Sequence, residues 1–154
     1  MLHVLDTSSL IVLQHYFPKQ FPSFWRNFDT AIAEGEVVSV REVLKEFSSD
    51  KPWLMAWAKQ QSAMFLTPGS AETAFVAKIF RVPHFQNLVT ERQRLRGQPV
   101  ADPFIIACAS VRNGCVVTEE SPRPNSAKIP NVCAHFGVEC TNMEGFLAAR
   151  GWMF

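Results

Sequence analysis

The sequence predicts an α/β fold in which a parallel sheet is covered by helices on both faces, and three observations predict it. Short apolar runs alternate along the chain with segments of helical spacing. The runs are rich in β-branched residues without polar alternation, as in strands buried on both sides. Helix-starting residues follow several of them at once, as in strand-to-helix units joined by right-handed crossovers.

The first run, His3-Val4-Leu5, ends in Asp6-Thr7-Ser8-Ser9, side chains suited to capping a helix. Leu10, Leu13, Gln14 and Phe17 continue at helical spacing to Pro18. A second helix carrying Phe21, Trp25, Phe28 and Ile32 stops at Gly35. Glu36 to Val40 reads as a second strand, and Val43, Leu44 and Phe47 give the next segment a helical period. Pro52 to Gln61 and the stretches after Pro68 and Pro83 are expected to be helical, with Ala63 to Leu66 a minor edge strand. Asp102-Pro103 opens an apolar helix, Asp fitting the N-cap and Pro the first helical position, which Asn113-Gly114 closes. Cys115 to Thr118 forms a third main strand and Gly137 to Cys140 a fourth, before a helix from Met143 to Arg150.

The 154 residues are 47% hydrophobic and 19% charged, which suits a single domain spanning 1–154 with a real core. Fifteen Lys and Arg against fourteen Asp and Glu exclude a global basic excess, so any nucleic-acid contact must come from a local patch. Uncharged stretches such as Leu10 to Pro18 fall short of the roughly 20 apolar residues that span a bilayer, so no membrane contact is expected. The opening Met-Leu-His-Val-Leu-Asp has neither a basic region nor an apolar one before a cleavage site, and a cytoplasmic protein is expected. Cys108, Cys115, Cys133 and Cys140 form no C-x-x-C pair and read as buried thiols rather than a zinc site.

In an open α/β sheet, ligands bind beyond the carboxyl ends of the strands, and the acids fall there. Asp6 ends the first strand, Glu42 and Glu46 follow the second, Asp102 opens the helix leading to the third, and Glu119 and Glu120 end that third strand. Carboxylates brought together cannot all stay ionised without a cation. Hard oxygen donors suit Mg²⁺ or Mn²⁺, and the implied chemistry is phosphodiester hydrolysis. Plainer readings stand beside this one. Asp6 and Asp102 could only cap helices, Glu42 and Glu46 could form a solvated face with Arg41 or Lys45, and Glu119 and Glu120 could be loop charges. Glycine placement excludes a dinucleotide or P-loop fingerprint, and no G-x-S-x-G elbow is present. His3 and His135 read as core residues, His15 lies on a helix, and His84 alone stands near basic residues.

The strings Val4 to Leu10, Val43 to Phe47, Ala101 to Ala109 and Val116 to Glu120 together resemble the PIN domain family across nearly the whole chain. Lys128-Ile129-Pro130-Asn131-Val132-Cys133 is similar to a PIN-like subfamily encoded in bacterial toxin operons. The resemblance implies a three-layer α/β/α sandwich and a Mg²⁺- or Mn²⁺-dependent endoribonuclease. It also implies that the chain is the toxin of a toxin–antitoxin pair, held silent by a cognate antitoxin that blocks the acidic crevice. The alternative is a catalytically silent PIN-like module that binds RNA or a protein.

Carried over by position, the catalytic acids are Asp6, Glu46, Asp102 and Glu120, with Asp6, Asp102 and Glu120 as metal ligands. The V-x-x-E pattern favours Glu46 over Glu42. At the fourth place the family commonly has an Asp two positions after a Thr, where this chain has Glu120 with Glu119 beside it. Thr7, Ser8, Thr118 and Glu119 would stand behind the acids and orient waters or carboxylates. Arg81, Arg92, Arg94 and Arg96, opposed by Glu91, form a local basic patch for an RNA backbone. Phe17, Phe21, Phe24, Trp25 and Phe28 exceed one helix's core-facing stripe. They predict either apolar surface around Phe24 for an antitoxin helix or a second copy of the chain, or a second core layer against Trp53 and Trp57.

Overall fold

The computed structural model describes all residues except Thr90, Gln98 and Pro99; for Glu91 and Arg92 it describes the backbone alone. Five strands form one sheet: β1 (His3–Leu5), β2 (Val37–Val40), β3 (Phe65–Leu66), β4 (Cys115–Val117) and β5 (Glu139–Thr141). Their spatial order is β3-β2-β1-β4-β5, and every pairing is parallel. Val4 sits opposite Val38 on one side and Val116 on the other, which fixes the register at the centre. β1, β2 and β4 are buried along their whole length, as the uninterrupted apolar runs require.

The helices are α1 (Thr7–Val12), α2 (Pro22–Ala33), α3 (Arg41–Glu46), α4 (Pro52–Gln60), α5 (Ser70–Phe80), α6 (Glu91–Arg96), α7 (Asp102–Val111), α8 (Ile129–Phe136) and α9 (Met143–Arg150). One layer is centred on α7, which is apolar nearly all round and buries Ile105, Ile106, Ala107, Cys108 and Ala109 against the sheet, α5 and α8. The other layer joins α2, α4 and α9 through aromatic rings. Phe24 stacks on Phe28, Trp25 meets Trp53 and Trp57 edge-on, and Phe28 meets Phe146. The fold is therefore a three-layer α/β/α sandwich around a parallel sheet, as expected.

Several expectations change on contact with the structure. Of the two expectations for Phe24, the second core layer holds and the apolar surface does not, because Phe24 is fully buried and joins Trp53 and Trp57 through Trp25; Phe17 and Ile11 are the exposed apolar side chains of that region. The helix expected to reach Phe17 stops at Val12 and tightens into a 3₁₀ turn, Leu13–His15, after which the Tyr16 carbonyl accepts the Trp25 indole N–H. His135 is exposed rather than core, whereas His3 is buried edge-on to Phe146. Gly137 does not begin a strand: at φ +69° it closes α8 in the left-handed conformation, and β5 starts at Glu139. Cys108, Cys115 and Cys133 are buried and Cys140 half-buried, and all four are free thiols.

The chain runs from β1 outward to β2 and β3, then crosses to the opposite side of β1 to lay down β4 and β5. The strand order therefore reverses between β1 and β4, the kind of place where open α/β sheets form a crevice beyond the carboxyl ends of their strands.

Candidate active site

Asp6 follows β1 directly and serves as the N-cap of α1, accepting the Ser9 backbone N–H at 2.8 Å. It is only 3% exposed. The Ser8 hydroxyl reaches both carboxylate oxygens at 2.8 and 2.9 Å, and the Thr118 hydroxyl donates from the end of β4, across the point where the strand order reverses. Burial raises the Asp6 pKa above the usual carboxylate range, and those donors only partly offset it.

Glu46 closes α3, half-buried, and accepts the hydroxyl of Thr7. Burial raises its pKa first, the Thr7 hydroxyl opposes that, and the charge of Asp6 raises it further. Asp102 is the first residue of α7 rather than its cap. Ala101 holds the cap position in a helical conformation, φ −86° and ψ −36°, and no side chain caps the helix. Among the described residues the Asp102 carboxylate has no hydrogen-bond partner. Its pKa is pushed up to about 7, by burial first and then by the charges of Glu120, Asp6 and Glu46; Lys128 opposes the shift.

The adjacent acids Glu119 and Glu120 turn in different directions. Glu120 accepts the Ile129 backbone N–H at 2.9 Å and so caps α8, while its own N–H donates to the Thr118 hydroxyl. It lines a cavity of about 330 Å³ together with Asp102, Gln93, Ser126 and Lys128. Glu119 is exposed; its carboxylate holds the Met143 N–H at the start of α9, and its backbone N–H donates to Ser8. Glu42 is not on a solvated face. Because β2 runs into α3 with no intervening residue, the first turn of α3 stays against the sheet. Glu42 is 7% exposed, pairs with Arg41 at 3.0 Å, and leaves Oε2 without a partner.

Asp6, Glu46, Asp102 and Glu120 thus gather at one end of the sheet. As the side chains stand, no three His, Cys, Asp or Glu among the described residues are grouped closely enough to hold a metal ion. The exposed Arg81, Arg94 and Arg96 do not line the cavity at Asp102, and the side chain of Arg92 lies outside the described residues. Sequence reasoning gave Lys128 no separate role, yet it is the only cation lining that cavity among the described residues. The available signal was Lys128-Ile129-Pro130, a proline in the first turn marking a helix start just after the acids.

A family model described as "Domain of unknown function (DUF4411)" matches residues 3–154. The chain belongs to the DUF4411 family. No curated protein matches this DUF4411 chain. A solved structure similar to it is described as the crystal structure of VapBC2 from Rickettsia felis bound to a DNA fragment from their promoter. The TM-score is 0.51 at 13% identity, covering 92% of this chain and 98% of that one. At that identity the likeness shows the fold alone. Among the described residues of the DUF4411 chain, no helix is long and apolar enough to cross a membrane.

Proposed function

We propose that this protein is a metal-dependent endoribonuclease that hydrolyses RNA phosphodiester bonds, and that it is the toxin of a toxin–antitoxin pair. The observation that carries the reading is Asp102, a carboxyl held near neutrality by burial and by three other acids, with Lys128 alone opposing them. Such uncompensated negative charge at a strand-order reversal is what a hard divalent cation would relieve, and an all-oxygen donor set fits Mg²⁺ or Mn²⁺. Asp6, Asp102 and Glu120 would hold the ion, with Glu46 beside them. The ion supplies a lowered water pKa and charge stabilisation at the leaving oxygen.

The chain's own residues contribute orientation and charge. Ser8 and Thr118 hold the two oxygens of Asp6, and Thr7 holds Glu46. Lys128 offers a positive charge to a phosphate entering the cavity. The exposed arginines at 81, 94 and 96 add local positive surface of the kind that a nearly neutral chain needs for a polyanion, and Arg92 adds its charge to the same stretch of sequence. A cognate antitoxin would silence the protein by covering the crevice. The motif resemblance supports this partner, together with a structural neighbour described as VapBC2 on DNA from their promoter.

A second reading, a catalytically silent module that binds RNA or protein, is favoured by one observation. Asp6, Glu46 and Glu120 are already engaged by hydroxyls or amides, and no metal-sized cluster stands assembled among the described residues. Incubation with mixed-sequence RNA in Mg²⁺, in Mn²⁺ and in chelator separates the two. Cleavage confined to the metal-containing reactions is expected. RNA retention without cleavage in either ion would transfer the case to the binding module.

A further inference from the structure

Beside the carboxylates lies a second and larger cavity, about 610 Å³, between the loop after β4, the start of α8 and the end of β5. Glu120 and Thr118 line it as well, and Glu120 also lines the smaller cavity at Asp102, so the two spaces share a wall. Pro122, Pro130 and Val138 give the larger cavity apolar surfaces, and Thr141 and Asn142 give it polar ones. Its volume falls within the roughly 300–1,000 Å³ typical of small-molecule pockets.

Its chemistry selects among the parts of a nucleotide. Glu120 is the only charged residue lining it among the described residues, so a phosphate is repelled while a neutral heterocycle is not. Asn142 caps α9 with Oδ1, which accepts the Gly145 N–H at 2.9 Å. That bond fixes the amide and leaves both Nδ2 hydrogens for a ligand acceptor. A Cβ at Gly145 would run into the Thr141 hydroxyl, so any larger residue there must displace a side chain that lines the cavity.

We infer that this cavity is the subsite for one base of the RNA, adjacent to the phosphodiester held at Asp102, and that the Asn142 amide reads an acceptor on that base. The inference rests on the nuclease reading for its place beside the cut, and the occupant is a nucleobase. The apolar walls receive the faces of the ring, the amide supplies direction, and Lys128 on the far side of Glu120 meets the phosphate.

Two measurements test it. The first titrates the unlabelled ribonucleosides adenosine, guanosine, cytidine and uridine into the isotopically labelled protein and follows backbone amide resonances. The second maps cut sites in random-sequence RNA for the wild type, Ala134→Trp and Asn142→Asp. Ala134 is exposed on α8 and lines the cavity, so tryptophan there fills it. Aspartate keeps the α9 cap but exchanges the donor for an acceptor. One or two nucleosides are expected to shift residues 118–122 and 138–142. Both variants are expected to weaken the wild type's base preference next to the cut by roughly tenfold.

Nucleoside binding at those residues without any RNA cleavage would uphold the base site and sink the nuclease reading. Cleavage with an unchanged preference in both variants would overturn the subsite and leave the nuclease reading standing. Absence of shifts with all four nucleosides overturns the subsite whatever the cleavage result, and is also the result expected if the cavity instead receives a side chain of a protein partner.

Discussion

Two buried ionisable groups, His3 in the aromatic layer and Asp102 in the crevice, are both driven toward neutrality by burial, yet their settings differ. His3 lies edge-on to Phe146 with ring centroids 4.9 Å apart, its Nδ1 has no partner, and its pKa falls to about 4. There neutrality suits the surroundings, which are rings packed on rings. Asp102 opens onto a cavity, and its pKa rises to about 7 because three other acids share the space. One region keeps its ionisable group uncharged among rings, at the cost of an unpartnered Nδ1, while the other keeps charge in excess. The contrast suggests that the aromatic layer is built for stability and the crevice at a cost to it, as is common for functional sites.

The largest effects should come from exchanging the two characters. Phe24→Asp puts a charge into the fully buried aromatic layer and should leave no cooperatively folded monomer by circular dichroism or thermal melting. The milder Phe28→Ala should cost about 3–5 kcal/mol in chemical denaturation. A folded Phe24→Asp protein that had lost only self-association would restore the surface role that the burial of Phe24 removes.

In the crevice the same logic predicts loss of activity with the fold intact. Asp6→Asn and Asp102→Asn should each lower RNA cleavage in Mg²⁺ or Mn²⁺ by at least about 100-fold, the scale of several kcal/mol of lost charge stabilisation. Undiminished cleavage by both variants would remove these acids from the chemistry. Glu46→Gln should reduce cleavage far more than Glu42→Gln, because Glu46 feels the charge of Asp6 whereas Glu42 is paired with Arg41. The opposite ranking would move the functional acid to Glu42.

The pH dependence of stability sharpens the comparison, because the two groups act with opposite sign. For metal-free protein between pH 4 and 7, the native state keeps a proton on Asp102 that the unfolded chain has released. The contribution of Asp102 to stability therefore falls as pH rises and is least favourable above 7. Asp102→Asn should be more stable than wild type at pH 8, by on the order of 4 kcal/mol, with the gain shrinking toward pH 4. For His3 the unfolded chain holds the proton between about 6.5 and 4, so its contribution is present above 6.5 and lost as pH falls. His3→Leu should flatten that acid limb. Parallel pH–stability curves for wild type and Asp102→Asn would mean that Asp102 ionises normally.

The smallest effect is expected from Thr118→Val, which removes one donor from Asp6 while keeping the shape of the side chain. A cost of about 1 kcal/mol is expected, together with a further rise in the Asp6 pKa readable by carboxyl NMR. An unshifted Asp6 would show that Ser8 and the Ser9 amide suffice.

Much of the fold was legible because β1, β2 and β4 are buried on both faces, which leaves no polar alternation to confuse their reading. The elements misplaced were those set by single contacts. The end of α1 depends on Tyr16 and Trp25, and the start of β5 depends on Gly137 first closing α8. In the crevice, strand ends located Asp6, Glu46, Asp102 and Glu120 along the chain. Periodicity alone could not separate Glu119 from Glu120, since neighbours in a loop have no fixed face.

By itself the sequence determined the α/β class, the alternation of elements and the set of acids near strand ends, because these follow from local periodicity and from where charge can be solvated. Only the tertiary structure decided which acids share a space. The crossing from β3 over to β4 brings Thr118 to Asp6, and the Glu120 bond to Ile129 sets α8 and Lys128 beside Asp102. It also decided that Phe24 lies in the core, since a helix with too many rings for one face can bury the surplus only when a second aromatic layer is there to receive it.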